Sequence, residues 1–111
     1  MQSINIAGHQ IDLYISPSLE AFNPQNRGLF DHNKNDIYID SHLDKDLKQA
    51  TLAHEVLHAI FMRSGGEKYL QGFGVDDEAV ETLVQILENT FFTFLRGNTN
   101  FYEKINLEGE K

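Results

Sequence analysis

His54-Glu55-Val56-Leu57-His58 spaces two imidazoles four residues apart, with a carboxylate directly after the first. The conformation that makes use of this spacing is an α-helix, which sets residues i and i+4 one turn apart on one face. Both rings can then reach a single zinc ion. Glu55 lies about 100° further around the helix, near such an ion without having to bind it, and there it can act as a general base. This is the working arrangement of a zinc peptidase. With five histidines in 111 residues, chance produces the pattern roughly 2% of the time, so its surroundings must carry the reading.

Those surroundings predict a helix over 44–64. From Leu47 to Met62 there is no glycine or proline, Asp44 and Asp46 supply capping and dipole-compatible carboxylates, and Gly65-Gly66 ends the run. Leu52, Ala53, Val56, Leu57, Ala59, Ile60 and Phe61 surround the histidines with apolar side chains. A lone histidine there would read as a core residue bonded to backbone. Two imidazoles and a carboxylate would be costly to bury without partners, and at this spacing they read as a metal site.

The chain is long enough for one core and too short for two, so 1–111 reads as a single domain. Its apolar runs are too short to span a bilayer, and Met1-Gln2-Ser3-Ile4-Asn5 lacks the basic-then-apolar pattern of a secretion signal. With no cysteine there are neither disulfides nor thiolate ligands. A cytoplasmic protein is the expectation. Nine basic against seventeen acidic side chains give a formal charge of −8 with no Lys/Arg cluster, which disfavours direct nucleic-acid binding. The charge reads as a solubility device rather than as steering toward a basic partner.

Residues 1–40 read as β-rich. Ile4 and Ile6, then Ile11, Leu13 and Ile15, alternate at period two around Gly8-His9, which predicts a hairpin. Pro17 and Pro24 break the pattern, leaving at most a short helical turn over Leu19 to Phe22. Gly28 to Phe30 and Ile37 to Ile39 flank the polar segment Asp31 to Asp36, as a second hairpin would. Antiparallel hairpins followed by helices make the expected class α+β. Beyond the first helix, Glu67 to Val75, with Tyr69 and Phe73, reads as a loop that either overhangs the metal or merely joins two helices. Asp76-Asp77-Glu78 open a second helix over 76–96, and 97–111 is a polar tail anchored by Phe101 and Ile105.

A catalytic zinc usually takes three protein ligands and leaves one position for water, so one more must come from elsewhere. On the 76–96 helix Val80, Leu83, Val84, Leu87, Phe91, Phe94 and Leu95 fall within about 60° of one direction, the expected core stripe. From its centre Asp77 stands at about 60°, Glu81 at about 100° and Glu78 at about 160°. Glu81, at the edge of that stripe and a full turn inside the helix, is the chosen ligand, with Asp77, Glu78 and Glu88 as alternatives. His9, His32 and His42 lie in turn-like segments and read as solvated.

The chain resembles the small zincin-like metallopeptidases related to the ImmA/IrrE family, particularly compact phage and prophage forms, and is similar to the minigluzincins in size and ligand plan. The likeness runs from Gly28 and Ile37-Tyr38-Ile39-Asp40 through Thr51-Leu52-Ala53-His54-Glu55-Val56-Leu57-His58-Ala59-Ile60. It resumes at Glu81-Thr82-Leu83-Val84, Leu87, Asn89, Leu95-Arg96 and Asn98. The resemblance implies one zinc held by His54, His58 and Glu81, with Glu55 as general base. Where ImmA-like peptidases often carry an alanine and a small residue, this chain has Val84 and Glu88.

The expected activity is hydrolysis of a peptide bond in a protein or peptide substrate, a repressor or other regulator being a candidate, with no nucleic acid or membrane involved. Ile37 to Ile39, as an edge strand, would hold the extended substrate, and Tyr38, Tyr69 or His42 would stabilise the oxyanion. The alternatives are a non-catalytic module in which zinc is structural and a regulator is bound uncut, and a metal-free acidic helical binding module.

Overall fold

The computed structural model describes residues 2–17 and 27–108, the side chain of Glu67 excepted. The chain is α+β, with a four-stranded sheet covered on one face by helices. The strands are β1 (Gln2–Ile6), β2 (His9–Ser16), β3 (Gly28–Asp31) and β4 (Asp36–Asp40), and the helices are α1 (Lys45–Arg63), α2 (Gly66–Gly72) and α3 (Asp77–Asn98). The turn expected over Leu19 to Phe22 lies outside the described residues.

Both predicted hairpins form. The first turns at Ala7 (φ 52°) and Gly8 (φ 82°), the pair of left-handed residues that a two-residue hairpin matching the strand twist requires. It pairs Ile4 with Ile11 and Ile6 with His9, so His9 belongs to β2 rather than to the turn. The second pairs Phe30 with Ile37 and Asp31 with Asp36.

Antiparallel hairpins alone do not describe the sheet, because its order is β1-β2-β4-β3 and β2 runs parallel to β4. That order corrects the edge-strand expectation. Ile37 and Ile39, fully buried, lie on an interior strand, and the edge beside the helices is β3. The core-facing row joins Leu13 to Ile37 and Ile15 to Ile39, and strands lined by such continuous apolar rows belong inside a sheet.

Ile6, Ile11, Leu13, Ile37 and Ile39 meet Leu52, Val56 and Ala59 of α1 in the core, with Leu107 closing one end. Phe101, Tyr102 and Ile105 pack against it around a short 3-10 turn (Tyr102–Lys104), so the tail is anchored as expected. The Tyr102 hydroxyl donates to the Gln49 carbonyl at 2.7 Å, and burial pushes its pKa far above the usual phenol value.

Two expectations beyond α1 are corrected. Gly66–Gly72 is helical rather than loop, since Lys68-Tyr69-Leu70-Gln71 contains no breaker. Tyr69 and Phe73 are exposed and stack edge to face with ring centres 5.0 Å apart, and neither lines the cleft described below. α3 buries Val80, Val84 and Leu95, whereas Leu87 and Phe94, expected in the core stripe, are 43% and 53% exposed. Its inward direction is turned by roughly 30° from the centre of the sequence stripe, toward Glu81 and Glu88. No described helix is long and apolar enough to cross a membrane.

Candidate metal centre

α1 starts where Asp44 accepts a hydrogen bond from the Leu47 amide at 2.8 Å and stops at Ser64, whose amide caps back onto the Ile60 carbonyl. Within it, Leu52, Ala53, Val56 and Ala59 face the sheet and are buried, which turns His54 and His58 sideways, half-buried, toward α3. The same rotation sends Glu55 under strand β3.

Gly28 makes that last contact possible. A Cβ there would stand 2.6 Å from Thr51 Cγ2, 3.0 Å from the Tyr38 carbonyl oxygen and 3.3 Å from Glu55 Cγ, so only glycine lets the edge strand lie this close to the helix. Glu55 is 6% exposed, and its Oε2 has no hydrogen-bond partner among the described residues. Burial pushes its pKa up to about 7, with the Glu81 and Glu88 carboxylates adding to the rise and His54 opposing it.

α3 starts on Asp76, whose side chain accepts from the Ala79 amide at 2.8 Å, and its next turn carries Glu81 to the histidines. His54 Nε2 is 3.1 Å from Glu81 Oε1, His58 Nε2 is 2.8 Å from Glu81 Oε2, and the two Nε2 atoms are 3.2 Å apart. Donors held at about 2.0–2.1 Å around a tetrahedral zinc lie about 3.3 Å from one another. The His54–His58 and His54–Glu81 separations approach that spacing, and imidazole and carboxylate are donor types that zinc takes. His54, Glu55 and His58 also bring one donor atom each within 4.8 Å of one another.

The other ring nitrogen of His54 is engaged as well. Its Nδ1 lies 2.5 Å from Glu88 Oε2. With the Nδ1 proton donated to that carboxylate, the Nε2 lone pair is directed at the enclosed space. Glu88, an alternative ligand in the sequence, thus meets the Nδ1 side of the His54 ring, away from Glu81 and His58. The signal was its position two turns after Glu81 on the same face; what the spacing left open was which nitrogen it would meet.

The remaining candidates are elsewhere. Asp77 accepts from Gln71 Nε2 at 2.9 Å, Glu78 is exposed, and His9 is exposed at the start of β2. His42 is joined to Asp40 through its Nδ1 at 3.1 Å, and Tyr38 donates to Asp36 at 3.2 Å and stacks on Tyr14. Neither Tyr38 nor His42 lines the cleft.

The site forms the floor of an open cleft of about 640 Å³ whose walls include Arg27, Leu29, Phe30, His32 and Met62. His32 is held there by its carbonyl, which accepts from Arg63. His32 is exposed in the turn after β3, as expected of a solvated loop residue, and it lines the cleft together with Arg27, for which the sequence carried no signal. Their cleft position depends on β3 being the edge strand.

Comparison of the chain with protein-family models, with curated proteins and with solved structures finds no match.

Proposed function

We propose that the protein is a zinc-dependent peptidase that cleaves an extended segment of a protein or peptide, a repressor or other regulator being the kind of substrate its resemblance suggests. One observation supports this reading: His54, His58 and Glu81 bring their polar atoms within 3.2 Å of one another in an open cleft, with the buried Glu55, whose Oε2 has no partner among the described residues, alongside.

His54, His58 and Glu81 would hold the ion, two neutral imidazoles and one anionic oxygen being a donor set that suits zinc. Zinc so bound supplies a Lewis acid, which polarises a carbonyl and makes water acidic enough to be deprotonated near neutral pH. Glu55 accepts the proton of the attacking water and delivers it to the leaving amine. Glu88 orients the His54 ring and fixes its tautomer. Strand β3, at the sheet edge beside Glu55, offers main-chain groups to an extended substrate. Arg27 and His32 on the cleft wall carry the hydrogen-bond donors for a developing oxyanion.

The test is zinc content paired with hydrolysis. Purified protein reconstituted with zinc is expected to hold one ion per chain. Glu55→Gln is expected to keep that ion and lose cleavage, since the amide preserves shape but cannot take a proton. A variant that bound zinc and retained the full biological effect of the wild type would replace the peptidase reading with the non-catalytic module.

A further inference from the structure

Helix α3 carries a second apolar stripe that the described residues leave largely uncovered beyond its first turns. Ile86, Leu87 and Phe94 are 66%, 43% and 53% exposed, and Leu83 is half-buried beside them. At about 100° per residue these four, with Thr90 between them and Ala79 and Gly97 at the ends, lie within about 50° of one line along the helix. That line runs some 27 Å from Ala79 to Gly97 at about 1.5 Å per residue. It stands roughly 90° around from the buried Val80, Val84 and Leu95, and roughly 150° from Glu81 and Glu88. The metal centre therefore faces away from it.

We infer that this stripe is a self-association surface, through which α3 of one copy packs antiparallel against α3 of a second copy. Charge distribution favours a second copy as the occupant. In a chain of formal charge −8, the residues from Thr82 to Leu95 include one charged side chain, Glu88, and it is turned inward onto His54. Two like-charged molecules can meet only over a surface from which their charge has been removed.

The antiparallel direction follows from the ends of the helix. Asp76, Asp77 and Glu78 crowd its N-terminus, so parallel packing would set two acidic ends side by side, whereas antiparallel packing separates them by the helix length. Part of the pattern is symmetric about Thr90: Ile86 and Phe94 stand four residues either side of it and Leu83 and Gly97 seven, while Leu87 has Thr93 as its counterpart. A two-fold axis there lays Ile86 against Phe94 of the second copy and Leu83 over its Gly97. Thr90 meets its own copy at the axis, large side chains meet one turn to either side, and large meets small at the ends.

Such an interface is on the order of 1,000 Å² in total, at the lower end of specific association, and a dissociation constant on the order of 10–100 µM is expected. Sedimentation equilibrium of the full chain over a concentration series is the measurement. The wild type is expected to pass from one to two chains per particle, and Phe94→Glu to remain monomeric with unchanged helix content and zinc uptake. The double variant Ile86→Lys/Phe94→Glu sets opposite charges across the antiparallel pair and is expected to restore the dimer. A wild type monomeric up to about 500 µM, five times the weakest expected constant, would overturn the inference, as would a Phe94→Glu variant as dimeric as the wild type. A double variant that stays monomeric would overturn the antiparallel pairing. Since every variant lies outside the metal centre, these outcomes are independent of whether the protein is a peptidase.

Discussion

Removing Glu88 distinguishes a residue that positions His54, a proposed zinc ligand, from one that is itself a ligand. Its Oε2 lies 2.5 Å from Nδ1 of His54, and its side chain is 40% exposed. Carboxylates that orient a metal-bound histidine change affinity by about 10–100-fold when lost. Because water reaches Glu88 and can replace part of the lost hydrogen bond, the expected effect of Glu88→Ala falls at the low end, about tenfold or about 1.4 kcal/mol. Glu88→Gln keeps an acceptor oxygen for Nδ1 and is expected to weaken zinc less than about threefold. Glu81→Ala removes the proposed oxygen ligand and would leave two imidazoles, so it is expected to exceed both by at least about tenfold. Competition against a chromophoric zinc chelator at fixed pH ranks the three variants on one scale. If Glu88→Ala released zinc as completely as Glu81→Ala, Glu88 would be a ligand. If it changed nothing, the short contact with His54 would have no bearing on the metal.

Glu81→Gln should lose zinc in the same competition while Glu78→Gln, exposed near the start of α3, retains it, and the reverse ranking would overturn the helix phase used to choose between them. Gly28→Ala should lower stability by about 1–3 kcal/mol, the usual range for overpacking, because its Cβ meets Thr51 Cγ2 at 2.6 Å and the Tyr38 carbonyl at 3.0 Å; an unchanged thermal midpoint would show that β3 does not press on α1. In zinc-free protein Glu55 has a folded pKa of about 7 against an ordinary value of 4.5. The folded state therefore binds its proton more tightly than the unfolded state, so the contribution of Glu55 is fully present below about pH 4.5 and is lost as pH rises through about 7, up to about 3 kcal/mol in all. Urea denaturation of the zinc-free wild type and of Glu55→Gln should show this as a difference that changes between those pH values; a constant difference would refute the burial argument.

The helix bearing His54 and His58 was legible in the sequence because its causes are local: an Asp44 cap, no breaker from Leu47 to Met62, and a four-residue spacing that a helical turn converts into one face. The same holds for the two hairpins, where period-two alternation meets residues that tolerate a left-handed turn, and for the start of α3 at Asp76. Glu81 could be chosen from its direction on the helix, and it is the carboxylate that meets both Nε2 atoms. Tertiary packing decided the rest. Ile37 to Ile39 reads as a strand in any register, but whether it is interior or edge depends on β2 running parallel beside it, a pairing between segments far apart in the chain. Which nitrogen of His54 meets Glu88, and why Leu87 and Phe94 face outward, follow from the rotation of α3 against α1. A periodic pattern specifies that a helix has an apolar side; the neighbour it packs against selects which part of that side is buried, because burial is a property of two surfaces and the sequence of one helix describes only one of them.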